Sequence, residues 1–299
     1  MQNYTKQCTL PADLVPILKG RGLAINDEPL AVNYLTNIGY FRLSAYLRPL
    51  LKEPKDAHTY KEDATFEKAM NMYRFDRKLR LLLFNEIEKI EVAVRSALVN
   101  LASHDLGTVF WMTDSQYFHD KSHFDSTLAL INSELGRTKE DFILHFKAKY
   151  SEPYPPVWMI AEILPLGVLT NIYRNLASQR LKKQIASHFG LTSPAFESWV
   201  QVIANLRNLC GHHSRVWNRE SGLLPADLAK PVHPWIDASK TDFRRVYCRI
   251  CMVKYILFTV SPNNCFTQKI KNLIAEFPTV DPGAMGFPAD WETEPLWMA

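Results

Sequence analysis

Apolar residues recur along this chain at steps of three and four, and nowhere alternate in strand fashion for more than about five residues. The clearest case lies between Thr65 and His104. There Leu79, Leu83, Ile87, Ile90, Val94, Leu98 and Leu101 follow at steps of 4, 4, 3, 4, 4 and 3, which puts them on one helical face. No Gly or Pro interrupts the segment, and Thr65 is an acceptable N-cap. Shorter helices are expected at Leu10–Arg21, kinked or broken at Pro16 and closed by Gly22, and at Asp27–Asn37, ended by Gly39. Phe124–Lys149 reads as two helices joined at Gly136, and Tyr154-Pro155-Pro156 as a stiff connection. Val157–Ser178 is helical with a break near Pro165-Leu166-Gly167, and Gln179–Phe189 is closed by Gly190. Ser193 as N-cap and Pro194 as first helical residue open a helix that runs through Trp199, Ile203 and Leu206 to about Cys210. Thr241–Val260 reads as a buried helix and Asn263–Phe277 as the last one. Lys52–Lys61 and the Pro-bearing Leu223–Ser239 read as loops, and the tail from Pro278 as irregular chain packed by its aromatics.

Composition sharpens this into an all-α expectation. The 299 residues are 47% hydrophobic and 22% charged, which excludes a disordered or collagenous chain. Gly is 11 of 299, about half the usual ~7%, too few for the turns and phosphate loops of a Rossmann or all-β design. The net charge of +4 permits a nucleic-acid partner without demanding one. Five scattered cysteines argue against a disulfide framework and for a reducing, cytoplasmic setting. The opening MQNYTKQCTL has no apolar leader, and the longest nearly apolar stretch, Met252–Val260, is interrupted by Lys254 and far shorter than a membrane span.

The sharpest chemical pattern is Arg207-Asn208-Leu209-Cys210-Gly211-His212, followed by His213. With 16 Arg and 9 His, chance gives about 0.5 Arg-x4-His pairs, and requiring Asn after the Arg lowers this to about 0.03. At helical spacing Asn208 and His212 lie one turn apart on one face, and the long Arg207 side chain can swing toward it. Such a kit suits a phosphodiester: Arg holds phosphate, Asn orients, His moves a proton near neutral pH. RNA brings its own nucleophile, the 2′-OH, so this route needs no metal. The competing account is a helix C-terminus whose His and Arg only complement the dipole.

Other candidates carry less. Glu88, Glu91 and Arg95 share a face of the long helix, either as solvated charges or with Glu91 or Arg95 orienting the Arg207 helix. Asp76, Arg77 and Arg80 read as a surface salt-bridge set, with RNA contact as the alternative. Glu162 sits in an apolar segment and needs a partner there, an Arg near the site being the natural one. Cys248 and Cys251 lack a second ligand pair and read as core, and adjacent His212 and His213 point too far apart to share a metal. Tyr40, Phe41 and Tyr46 with Arg42 and Arg48 read as core and rim, with base stacking as the alternative.

RNLCGHHSRVWNR resembles the RNxxxH signature of the HEPN ribonucleases in the form carried by Abi-like (AbiD/AbiF) abortive-infection proteins. NYLTNIGYFRLSAYLRPL, TFEKAMNMYRFDRKLRLLLFNEIEKIEVAVRSAL, YPPVWMIAEILPLGVLTNIYRNL and NNCFTQKIKNLIAEFPTVDPGAMGFPADWETEPLW are similar to further blocks of that family, in order. The resemblance implies an all-α HEPN-type helical bundle (residues 63–277), an N-terminal helical extension (1–62) and a C-terminal tail packing on the core (278–299). It implies a homodimer whose two motifs face one composite site. Arg207, Asn208 and His212 would be catalytic; His213, Arg215, Glu91, Arg95 and Glu162 would contact RNA or support the site. It further implies a toxin-like, metal-independent endoribonuclease in phage defence, without cofactor, restrained by an RNA or protein partner. The alternative is a non-catalytic HEPN module that binds RNA or a phage protein.

Overall fold

Thr65 starts the longest helix as its sequence suggests: its hydroxyl accepts the Lys68 N–H at 3.1 Å. In the computed structural model, which describes Asn3 and residues 8–299, that helix runs unbroken for 41 residues. The reading of residues 1–10 as free of a leader falls mostly outside the described residues. In chain order the α-helices are α1 (Pro11–Gly20), α2 (Glu28–Ile38), α3 (Tyr40–Leu47), α4 (Phe66–Leu106), α5 (Lys121–Arg137), α6 (Asp141–Lys149), α7 (Val157–Ile163), α8 (Leu166–Asn175), α9 (Gln179–His188), α10 (Ser193–Gly211), α11 (Val246–Val260), α12 (Phe266–Glu276) and α13 (Pro295–Met298). Among the described residues there is no strand, only three isolated bridges, so the fold is all-α. None of these helices is long and apolar enough to cross a membrane.

Local chemistry corrects several sequence readings. Pro16 lies inside α1 without breaking it. The aromatic segment from Tyr40 is itself a helix, separated from α2 by Gly39, whose positive φ of +87° glycine adopts without strain. Gly136 stays within α5; the joint comes after Arg137, and Asp120 caps the start by accepting the His123 N–H at 2.9 Å. α10 is capped by Thr192, whose hydroxyl accepts the Ala195 N–H at 3.4 Å, and not by Ser193, which is already helical. The irregular tail contains the short α13.

The chain divides into two compact units, residues 1–80 with 270–282, and 81–269 with 283–299. In the first, α1 packs on α2 and α2 on α3. Its core includes Leu18, Leu35, Leu43 and Phe75, whose ring meets that of Phe277 edge-on at 5.8 Å. Asp76 and Arg80 are buried here as an ion pair, with the Tyr46 hydroxyl donating to Asp76. The expected surface salt bridge is thus an interior one, and Tyr46 is spent on it; Phe41 alone of the aromatic trio stands fully exposed.

In the second unit α10 is the hub, packed against α8, α9 and α11. Its inward face is Ala195, Phe196, Trp199, Val202, Ile203, Leu206 and Cys210. Every residue of α11 from Val246 to Leu257 is buried, so it forms the centre, and Cys248 and Cys251 pack inside it. The α4 stripe is buried here at Leu83, Ile87, Ile90, Val94 and Leu98, and then passes to Ala102 rather than the half-exposed Leu101. The tail anchors through Trp291 and Trp297, whose rings meet edge-on at 5.0 Å.

Candidate functional site

The burial of Leu206 and Cys210 fixes the rotation of α10 and turns Arg207 and Asn208 outward. The helix then stops within the signature itself. His212 is the C-cap, with its N–H bonded to the Asn208 carbonyl at 2.9 Å. His213 takes a left-handed φ of +56°. Its N–H reaches the Cys210 carbonyl at 3.1 Å, and the Ser214 N–H reaches Leu209 at 2.9 Å. Those two bonds are a Schellman motif. It leaves the Asn208, His212 and His213 side chains exposed on a hydrogen-bonded turn, and Arg215 half-buried just beyond.

α4 supplies the other wall. Glu91 flanks the buried stripe and faces α10: its carboxylate lies 3.3 Å from Arg207 Nε and 3.4 Å from an Arg95 Nη. Arg95 also lies 3.7 Å from Glu162 of α7 and donates to the Leu164 carbonyl at 3.2 Å. The side chains of Glu91 and Arg95 are only 13% and 15% exposed, so they are not a solvated face. Glu162, in contrast, is largely exposed despite its apolar neighbours. Of the sequence-predicted residues, the structure therefore joins Arg207, Asn208, Glu91, Arg95 and Glu162 by contact. It places His212, His213 and Arg215 beside them along the chain.

Arg207 is held but not saturated. Its Nε is near Glu91 without the alignment of a hydrogen bond. One Nη–H donates to Asn208 Oδ1 at a long 3.5 Å, and the guanidinium stands 5.7 Å over the Phe84 ring. The side chain keeps 36% exposure. A guanidinium carries five donors in a fork that matches phosphate oxygens. Here most of that capacity remains open toward a cleft of about 310 Å³ lined by Phe84, Glu88, Glu91, Val92, Arg95 and Arg207. Among the described residues no three His, Cys, Asp or Glu side chains are grouped to hold a metal ion.

Phe84 is the cleft residue that reading by motif misses. Leu81, Phe84 and Val92 are exposed apolar residues off the buried stripe of α4. Apolar side chains at positions where the 3.6 period calls for polar ones were the available signal.

No curated protein and no solved structure matches this chain. The sequence model of the family described as "Abi-like protein" matches residues 33–218, more than half of the chain. That span holds both walls of the cleft, from Phe84 and Glu91 on α4 to Arg207, Asn208 and His212 on α10. The chain belongs to the Abi-like protein family.

Proposed function

We propose that this protein is a metal-independent endoribonuclease of the HEPN type, an RNA toxin in abortive-infection phage defence. The observation that supports it most is Arg207: clamped from behind by Glu91, with its outer donors open, beside an amide and an imidazole on one turn. In this reading the Arg207 fork grips the scissile phosphate and the charge that grows on it. His212 takes the proton of the 2′-OH, whose oxygen attacks phosphorus while the 5′-oxygen leaves. Asn208 orients Arg207 or the phosphate; His213 and Arg215 hold neighbouring phosphates. The leaving oxygen needs a proton from a second imidazole, which a homodimer with two facing motifs supplies. The Abi-like family supports the defence role, with an RNA or protein partner restraining the toxin.

A non-catalytic RNA- or phage-protein-binding module is the second reading, favoured by the neutralisation of Arg207 by Glu91 in the free chain. One experiment separates them: incubate the purified chain with RNA, with and without EDTA, and map the product ends. The nuclease leaves 2′,3′-cyclic phosphate and 5′-hydroxyl ends with EDTA present and spares DNA. Ends bearing 5′-phosphate and 3′-hydroxyl overturn this mechanism, and intact RNA leaves the binding module.

A further inference from the structure

The cleft beside Arg207 holds two groups that phosphate chemistry does not use. Phe84 and Glu88 lie one turn apart on α4 and both line it. Phe84 is 38% exposed, an unusual state for an aromatic ring on a polar helix face, and Val92, 49% exposed, continues the apolar wall. The end of α10 lies against the same ring: a Cβ at Gly211 would be in van der Waals contact with Phe84 Cε2, at 3.4 Å. The ring thus lies between the end of α10 and the cleft. Glu88 is exposed, and it shares the cleft with the partly open Arg207. Lys89 pairs with Glu86, Arg95 with Glu91 and Glu162, and Arg207 with Glu91, so among the described residues Glu88 has no ion pair.

An apolar platform next to an uncompensated carboxylate repels a phosphate but suits a nucleobase. The base packs on the ring, extending the stack already begun by the Arg207 guanidinium. The carboxylate, an acceptor at both oxygens, then reads the donors on the base edge. Only guanine offers two adjacent donors there, N1–H and N2–H, which a carboxylate takes as a bidentate charge-assisted pair. We propose that Phe84 and Glu88 form a guanine-selective subsite next to the scissile phosphate. The proposal rests on the ribonuclease reading for its place in a reaction, but not for the binding itself.

The test uses the full chain and short 2′-O-methyl hexanucleotides, which the 2′-OH route cannot cut, differing at one base: guanine, inosine, adenine, cytosine or uracil. Wild type binds the guanine strand at least about tenfold more tightly than the others, with inosine between, because it keeps N1–H and lacks the N2 donors. Glu88→Gln removes that preference; Phe84→Ala weakens all five strands about tenfold, and Phe84→Trp restores binding. Both positions are exposed, and thermal melts confirm that the variants fold. Equal affinity for all five strands, or a guanine preference unchanged in Glu88→Gln, overturns the subsite. Cleavage of ordinary RNA, measured alongside, reports on the nuclease independently. Selective binding without cleavage retires the nuclease and keeps the subsite, whereas cleavage without base preference does the reverse.

Discussion

Replacing Glu91 with Gln tests the clamp on Arg207 most directly, because the shape of the side chain survives and only its charge goes. Glu91 faces two guanidinium groups, at 3.3 Å and 3.4 Å. At an effective dielectric of about 20, one such contact is worth roughly 5 kcal/mol before other costs. Desolvation of the largely buried Glu91 offsets much of this, and solvent reaching the 36%-exposed Arg207 screens more. Arg95 also keeps Glu162 and the Leu164 carbonyl as partners. A net loss of about 1–2 kcal/mol of stability follows, or a melting point lower by about 2–6 °C, well short of unfolding. Catalysis suffers more. Without the rear contact the Arg207 fork samples other rotamers, and misplacement by about 1 Å costs on the order of 10²-fold in rate.

Single-turnover RNA cleavage reads that loss in the chemical step, and RNA binding changes far less, since Arg207 still carries its charge. Glu91→Asp, which keeps the charge on a shorter stem, recovers part of the rate. The reasoning is refuted if Glu91→Gln melts a few degrees lower yet cuts RNA at the parental rate. In that event the Glu91–Arg207 pair only holds α4 to α10.

His212→Ala should lower cleavage by about 10²–10⁴ while the melting point moves little, because the C-cap bonds come from the backbone and a lost dipole contact costs only about 0.3–1 kcal/mol; parental cleavage by a folded His212→Ala chain ends the catalytic assignment. His213 holds a left-handed φ at the C′ position of the α10 turn, so His213→Gly should raise stability by up to about 1 kcal/mol in denaturant melts and, if the imidazole contacts RNA as proposed, weaken RNA binding. Glu294 should make docking of the tail pH-dependent. Burial raises its pKa above the ordinary carboxylate value, despite the hydrogen bond from Tyr247. Its contribution is therefore fully present below the unfolded Glu value and is lost as pH rises through the folded one. Glu294→Gln removes that loss: its melting point relative to the parent should rise between pH 4 and pH 7.5, and a constant difference across that range contradicts the assignment.

The helices were legible because their burial is one-sided and local. The α4 stripe at steps of three and four needs no partner to be recognised, and its residues from Leu79 to Leu98 are buried as the period requires. Errors fell where tertiary packing outvotes local preference. Gly136 costs about 1 kcal/mol in a helix, yet α5 runs past it, held by the burial of Ile131 and Leu135. Asp76 and Arg80 looked like surface charges because sequence shows an i,i+4 pair and not the Tyr46 hydroxyl that lets the carboxylate be buried.

At the candidate site the sequence exposed the chemistry and named Glu91, Arg95 and Glu162 as its support, but not how the three connect. Arg207, Asn208 and His212 lie within six residues and can be found by spacing alone. Glu91 stands more than a hundred residues upstream, and i,i+4 logic pairs it with Arg95, which is true and incomplete. What no helical wheel contains is that one carboxylate serves two arginines on different helices, leaving Glu162 and the Leu164 carbonyl to hold Arg95 in place. That sharing has a chemical consequence. A carboxylate devoted to Arg207 alone could take two of its five donors as a bidentate pair, whereas one shared with Arg95 leaves Arg207 Nε without an aligned hydrogen bond and more of the fork unused. An arginine in that state suits a site that must bind phosphate more tightly as charge develops on it, since its strongest contacts remain to be made in the transition state.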